Sequence, residues 1–103
     1  MNWIGLESVG KRQMDKEKRI DKFTELVYGL GDILTYNLKR YDTNSALKNI
    51  KRLCSLVDKG GLHDQEIKAV TDVLRRLSKV AHDFDNEAIK DFIDGRLAEE
   101  HNG

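Results

Sequence analysis

The sequence predicts an all-α fold, a small antiparallel helical bundle of about four helices with an apolar N-terminal arm. The 103 residues include no proline, and apolar residues recur at helical spacing in four segments, 20–41, 47–57, 67–81 and 89–97. An amphipathic helix cannot bury its own apolar stripe, so the four stripes must pack against one another. Because the connections are short, consecutive helices are expected to run antiparallel.

Length and composition indicate one domain with no overall affinity for polyanions. A chain of this length has enough apolar surface for one core, and 39% hydrophobic with 35% charged residues suits helices that each have one solvated face. Eighteen basic and eighteen acidic side chains give a formal net charge of zero. Any attraction to nucleic acid or to an anionic membrane must therefore come from local patches.

The sequence predicts a cytoplasmic location. The single cysteine, Cys54, has no partner for an intramolecular disulfide and lies on an apolar stripe, which is typical of a reducing compartment. No apolar run approaches the roughly 20 residues of a membrane span. Residues 1–10 lack the basic start and the apolar centre of a signal peptide.

The first 14 residues are expected to form an arm, and residues 15–103 the single helical-bundle domain. The arm contains Trp3, Ile4, Leu6 and Val9 around two glycines, and a charged stretch follows it. It is expected either to cover an end of its own bundle or to dock on a second subunit or a partner.

The first helix is predicted from about Asp15 to about Tyr41. Gly29 and Gly31 lie in its interior, where each costs roughly 1 kcal/mol against alanine, so they indicate a close backbone approach or a local bend. Leu26 and Ile33 widen the apolar arc beyond the main stripe. This helix is therefore expected either to be the most enclosed one or to contact something outside the bundle.

Turn and cap residues delimit the other three helices. The cluster Asp42-Thr43-Asn44-Ser45 marks the start of the second helix, which is predicted to end at Lys59-Gly60-Gly61. His63 or Asp64 is expected to cap the third helix, which reaches about His82. The fourth helix is predicted over 86–100, with frayed residues after it.

Four residues are candidates for binding a partner protein. Tyr28 and Tyr36 lie on the side of the first helix away from its stripe, among charged residues such as Asp32. Aromatic side chains in such surroundings are typical of interfaces, and Trp3 in the arm is the fourth candidate. The alternative is that the tyrosines are isolated surface residues.

A second set of candidates is basic and indicates nucleic-acid binding as the alternative function. It consists of Lys48, Lys51, Arg52, Arg75 and Lys79. These residues form either one basic surface or a solvated face with ion pairs at helical spacing, such as Lys68 with Asp72 and Asp72 with Arg76. The last helix and its lead-in are mainly acidic, so charge could also pair helices between copies.

No catalytic residues, metal site or cofactor are predicted. The glycine-rich phosphate-binding motifs are absent, and the three histidines, His63, His82 and His101, lie in separate elements. Nonetheless, Arg76 and His82 are separated by five residues, and this pattern resembles the R-x(4–6)-H motif of HEPN ribonucleases, which are helical bundles.

The HEPN resemblance implies a ribonuclease as a second alternative. Arg76 would hold the scissile phosphate and His82 would transfer a proton, at a cleft between two subunits. Arg76 is followed by Leu77, where that family favours a polar residue. The alternative reading of His82 is a helix-ending residue whose positive charge suits the helix dipole.

The function predicted first is a non-enzymatic bundle that binds another protein. This class includes inhibitors, immunity proteins, adaptors and small assembly subunits, and the size is compatible with an accessory protein of a phage or plasmid. The wide arc of the first helix and the Trp3 arm exceed what a four-helix core covers, so a homodimer is also expected.

Overall fold

The computed structural model describes the backbone of residues 2–102 and the side chains of residues 15–99. It contains four helices, α1 (Asn2–Lys39), α2 (Thr43–Asp58), α3 (Asp64–Asp83) and α4 (Glu87–Asn102). No strand occurs between residues 2 and 102. The predicted all-α bundle of four helices is confirmed.

The first helix is longer than the sequence predicted. It begins at Asn2 instead of near Asp15, so residues 2–14, expected as an arm, continue α1. Glycines at positions 5 and 10 weaken a helix by about 1 kcal/mol each but do not end it as proline does. The strong helix formers that follow, mainly lysine, arginine and glutamate, favour continuation. At the other end of the chain, α4 continues to Asn102, two residues beyond its predicted end.

The turns that end α1 and α3 share one geometry that the sequence did not reveal. Tyr41 and Asp85 have φ values of 59° and 57°, in the left-handed region. The amide after each donates to the carbonyl five residues back, at 2.9 and 2.7 Å, which satisfies helix-end acceptors. The rings of Tyr41 and Phe84 then meet edge to face, 6.2 Å apart, which brings the two turns together at one end of the bundle.

The centre of the bundle is α3, not α1. It packs against α1 on one side and α4 on the other, while α2 contacts all three; α1 and α4 do not touch within the described residues. The buried apolar side chains of α3 are Ala69, Val70, Val73, Leu74, Leu77 and Ala81. The first helix was expected to be the most enclosed one or to contact something outside the bundle. The most enclosed helix is α3, so the first of these two expectations is wrong.

Contacts between α1 and α3 show that these two helices run parallel. The hydroxyl of Tyr28 is 3.4 Å from a carboxylate oxygen of Asp72, and Arg76 is 2.9 Å from Asp32. In both pairs the partners are 44 positions apart, so the start of α3 lies level with Ile20. Residues 2–19 of α1, about 27 Å at 1.5 Å per residue, therefore extend beyond the bundle.

Gly29 and Gly31 of α1 differ in their surroundings. A Cβ atom on Gly31 would lie 3.1 Å from Cγ1 of Val73, tighter than an ordinary contact, so the predicted close approach is confirmed there. A Cβ atom on Gly29 would meet nothing within 4 Å among the described residues. Packing against α3 therefore explains Gly31 but not Gly29.

Substitution at these two glycines is expected to have opposite effects on stability. Gly31→Leu should lower the free energy of unfolding by about 1–3 kcal/mol, because a larger side chain would overpack the contact with Val73. Gly29→Ala should raise it by up to about 1 kcal/mol through helix propensity. Urea unfolding followed by circular dichroism measures both. Equal losses would contradict the packing described for α1 and α3.

Candidate functional site

An apolar row on α1 is exposed to water. Leu26 is 65% exposed and Ile33 56% exposed, and the partly buried Leu30 lies between them. Spacings of four and three residues place all three on one side of the helix. The structure therefore leaves this arc uncovered by residues 15–99, so α1 is not the most enclosed helix.

This row continues into a groove beside the end of the bundle. One hollow is shallow and open to solvent, and it is formed by α1 alone, with Lys22, Glu25, Leu26, Gly29, Leu30 and Ile33 lining it. A second of about 420 Å³ is lined by Lys16, Arg19, Ile20, Lys22, Phe23, Leu26, Gly61, His63 and Glu66. The two share Lys22 and Leu26, and together they are called the α1 groove below.

The rim of the α1 groove is mainly cationic. Lys16, Arg19 and Lys22 form no ion pair within residues 15–99. Glu66 is buried, and its carboxylate accepts a hydrogen bond of 2.9 Å from the amide of His63 at the start of α3. The one exposed acid that lines either hollow is Glu25. The charges open to a ligand are therefore predominantly positive.

Of the two predicted tyrosines, Tyr28 lies on the side of α1 opposite the groove. Tyr28 is 43% exposed and Tyr36 57% exposed, as expected from their charged neighbours. Tyr28 follows Leu26 by two positions, a rotation of about 200° around the helix. Tyr28 and the α1 groove thus lie on opposite sides of the helix, whereas Tyr36, three positions after Ile33, lies beside the end of the groove. The side chain of Trp3, the fourth candidate, lies outside the described residues.

Internal contacts already engage the predicted partner-binding residues. Tyr28 and Asp32 both reach across to α3, through the contacts with Asp72 and Arg76. The hydroxyl of Tyr36 accepts a hydrogen bond of 2.6 Å from Arg40, whose guanidinium carbon is 5.2 Å from the ring centroid. Part of this face therefore joins α1 to α3.

The predicted basic residues do not gather on one surface. Lys51 lies 5.9 Å from the ring centroid of Phe92, at the contact of α2 with α4, and Lys48 and Arg52 are exposed on α2. Arg75 and Lys79 lie on the side of α3 away from its buried residues. Since α2 packs on that buried side, the basic residues of α2 and α3 point to different faces.

The ion pairs predicted within α3 give way to contacts between helices. Asp72 accepts from Tyr28, and Arg76 pairs with Asp32, instead of with Lys68 and Asp72. The pair that resembles the HEPN motif is also divided. His82 Nδ1 lies 3.9 Å from Glu87 at the start of α4, whereas Arg76 faces α1. These two side chains are not brought together within one protomer.

The best-defined polar cluster joins α3 to α4. The hydroxyl of Ser78 donates to Asp94 at 2.6 Å, and Lys90 donates to the same carboxylate at 2.9 Å. These hydrogen bonds, Ser78 foremost, hold the pKa of Asp94 below its usual value. Because the lowered pKa favours the charged carboxylate, the cluster stabilises α4 on α3 at neutral pH and loses strength in acid.

Searches of protein families, curated proteins and solved structures find no match to this chain. Within the described residues, no group of three or more His, Cys, Asp and Glu side chains is arranged to hold a metal ion. In the same part of the chain, no helix has the length and apolarity needed to cross a membrane.

Removal of the tyrosine rings should hardly affect the fold. Tyr28→Ala with Tyr36→Ala is expected to lower the free energy of unfolding far less than Leu74→Ala, which should cost about 2–5 kcal/mol because Leu74 is fully buried. Thermal melts of both variants and the wild type provide the comparison. A double tyrosine variant as unstable as Leu74→Ala would show that these rings belong to the core.

Proposed function

We propose that this protein is a non-enzymatic helical bundle that acts by binding another protein, through the α1 groove. The observation that carries the proposal is the exposure of Leu26 and Ile33 beside a rim of cations that form no ion pair within residues 15–99. Monomeric proteins rarely leave a contiguous apolar patch with a polar rim in water, and such patches mark interaction sites. The complementary protein would cover both side chains.

The classes proposed are an inhibitor, immunity protein, adaptor or small assembly subunit, in the cytoplasm, with an accessory protein of a phage or plasmid as one such case. The sequence has one cysteine, Cys54, and its side chain is buried, which supports a reducing compartment. The division of Arg76 from His82 favours this function over the ribonuclease, and the division of the basic residues favours it over nucleic-acid binding.

Replacing the exposed apolar pair should remove binding without unfolding the protein. Leu26→Asp with Ile33→Asp is expected to keep the melting temperature within a few degrees of wild type, since both side chains are mostly in water. Affinity capture from the source cells, read by mass spectrometry, should lose at least one protein. The matched control, Tyr28→Ala, alters the opposite side of α1. Capture that is identical for all three proteins would refute the proposal.

We also propose a homodimer formed through the part of α1 that extends beyond the bundle. By the register of α1 along α3, most of residues 2–19 extends past the start of α3, and their sequence includes Trp3, Ile4, Leu6 and Val9. A second copy in a two-fold arrangement, the commonest symmetry of homo-oligomers, supplies an identical segment that could pair with it.

Light scattering tests the dimer. At tens of micromolar, well above a dissociation constant of about 1 μM, the mass should be twice the 11.8 kDa of the chain. Removal of residues 1–14 should return the mass to that of one chain, because the segment proposed to pair is then absent. A full-length protein that stays monomeric at this concentration would contradict the proposal.

A further inference from the structure

We infer that the ligand of the α1 groove is an acidic amphipathic helix of another protein, with a leucine-rich stripe flanked by Asp and Glu. This inference rests on the proposed function and specifies the chemistry of the partner. Its support comes from the length of the groove, an otherwise unexplained glycine and the charges of the rim.

The length and pattern of the floor suit a helix. From Lys16 to Ile33 the groove follows α1 for about 26 Å, which equals a helix of about 17 residues. Its apolar floor consists of Ile20, Phe23, Leu26, Leu30 and Ile33. These residues recur every three or four positions, so they form ridges into which the side chains of a second helix can pack.

Gly29 lies within this floor and has no role inside the described protomer. A glycine in a helix interior costs about 1 kcal/mol, yet no described atom lies within 4 Å of the position of its missing Cβ. Small residues allow two helix backbones to approach closely, as Gly31 already does against Val73. If a partner helix packs over Leu26 and Ile33, Gly29 allows its backbone to approach the outer side of α1 closely.

The charges around the groove select an acidic partner. Four cations stand near its N-terminal end, Lys16, Lys18, Arg19 and Lys22, against Asp15 and the more distant Glu25. None of the four cations forms an ion pair within residues 15–99. Opposite charge on the partner would steer its approach and fix its orientation, whereas a basic helix would be repelled.

A second copy of α1 fits the same groove poorly. In an antiparallel pair with its two-fold axis between Gly29 and Leu30, Leu26 would face Ile33 of the other copy. The same symmetry would place Arg19 opposite Arg40, a pair of like charges. The apolar centre is therefore self-complementary, but the cationic flank is not. An acidic amphipathic helix of another protein is complementary to both the apolar centre and the cationic flank.

Designed peptides test this inference on the full-length protein. Three fluorescent 18-residue peptides are compared. The Glu peptide and the Lys peptide both have leucines along one side of a helix, flanked by Glu or by Lys. The third peptide has the composition of the Glu peptide in scrambled order, so that it has no leucine stripe. In fluorescence anisotropy at low salt, we expect the Glu peptide to bind at least about tenfold more tightly than either control, a difference of about 1.4 kcal/mol.

Variants locate the binding. Leu26→Asp with Ile33→Asp should abolish binding of the Glu peptide, and Arg19→Glu with Lys22→Glu should reverse the preference towards the Lys peptide. Gly29→Val should weaken binding by about tenfold or more while thermal melts show a folded protein, because the branched side chain would hold the helices apart. Tyr28→Ala, on the opposite side, should bind as the wild type does.

Several results would overturn the inference. The first is equal binding of all three peptides, and the second is binding of the Glu peptide that persists in Leu26→Asp with Ile33→Asp. If the wild type is a dimer that dissociates in this variant, the groove binds a second copy. If the wild type floats with phosphatidylglycerol vesicles and the variant does not, the groove binds a membrane. If affinity capture loses a protein in this variant but the Glu peptide does not bind, the proposed function stands and the acidic helix is wrong. If capture loses nothing, the proposed function itself fails.

Discussion

The close parallel contact between α1 and α3 is the constraint on which the rest of the structure depends. A glycine at position 31 lets the side chain of Val73 approach the backbone of α1, and the contacts of Asp32 with Arg76 and of Tyr28 with Asp72 lie on either side of it. Together these contacts fix how far α1 is shifted along α3. That shift leaves the first half of α1 beyond the bundle.

The position of α3 between α1 and α4 also decides which surfaces stay open. Within the described residues, α1 packs against α3 and α2 and does not contact α4. The side of α1 that carries Leu26 and Ile33 therefore stays in water, and the loop at Gly61 and His63 forms a wall beside it. The α1 groove thus results from packing elsewhere in the molecule.

The candidate site could be predicted in part. The exposure of Tyr28 and Tyr36 followed from their charged neighbours on the helix, and it is observed. The contact of Tyr28 with Asp72 of α3 did not follow, because residues 44 positions apart become neighbours only through the packing of two helices. The signal for the α1 groove was present as an apolar arc too wide for one helix contact, but periodicity alone cannot distinguish an enclosed helix from an exposed one.

The sequence by itself determined the four helices, most of their ends and the apolar residues of the core, because these depend on local spacing, caps and propensity. It did not determine where α1 begins, since only glycines and no proline stood in the way of a longer helix. Only the tertiary structure decided that α3 is central, that Arg76 faces α1 while His82 faces α4, and that the basic residues of α2 and α3 are separated. These features depend on how the helices are shifted and rotated against one another. The same apolar periodicity is compatible with several such arrangements, so it does not select one.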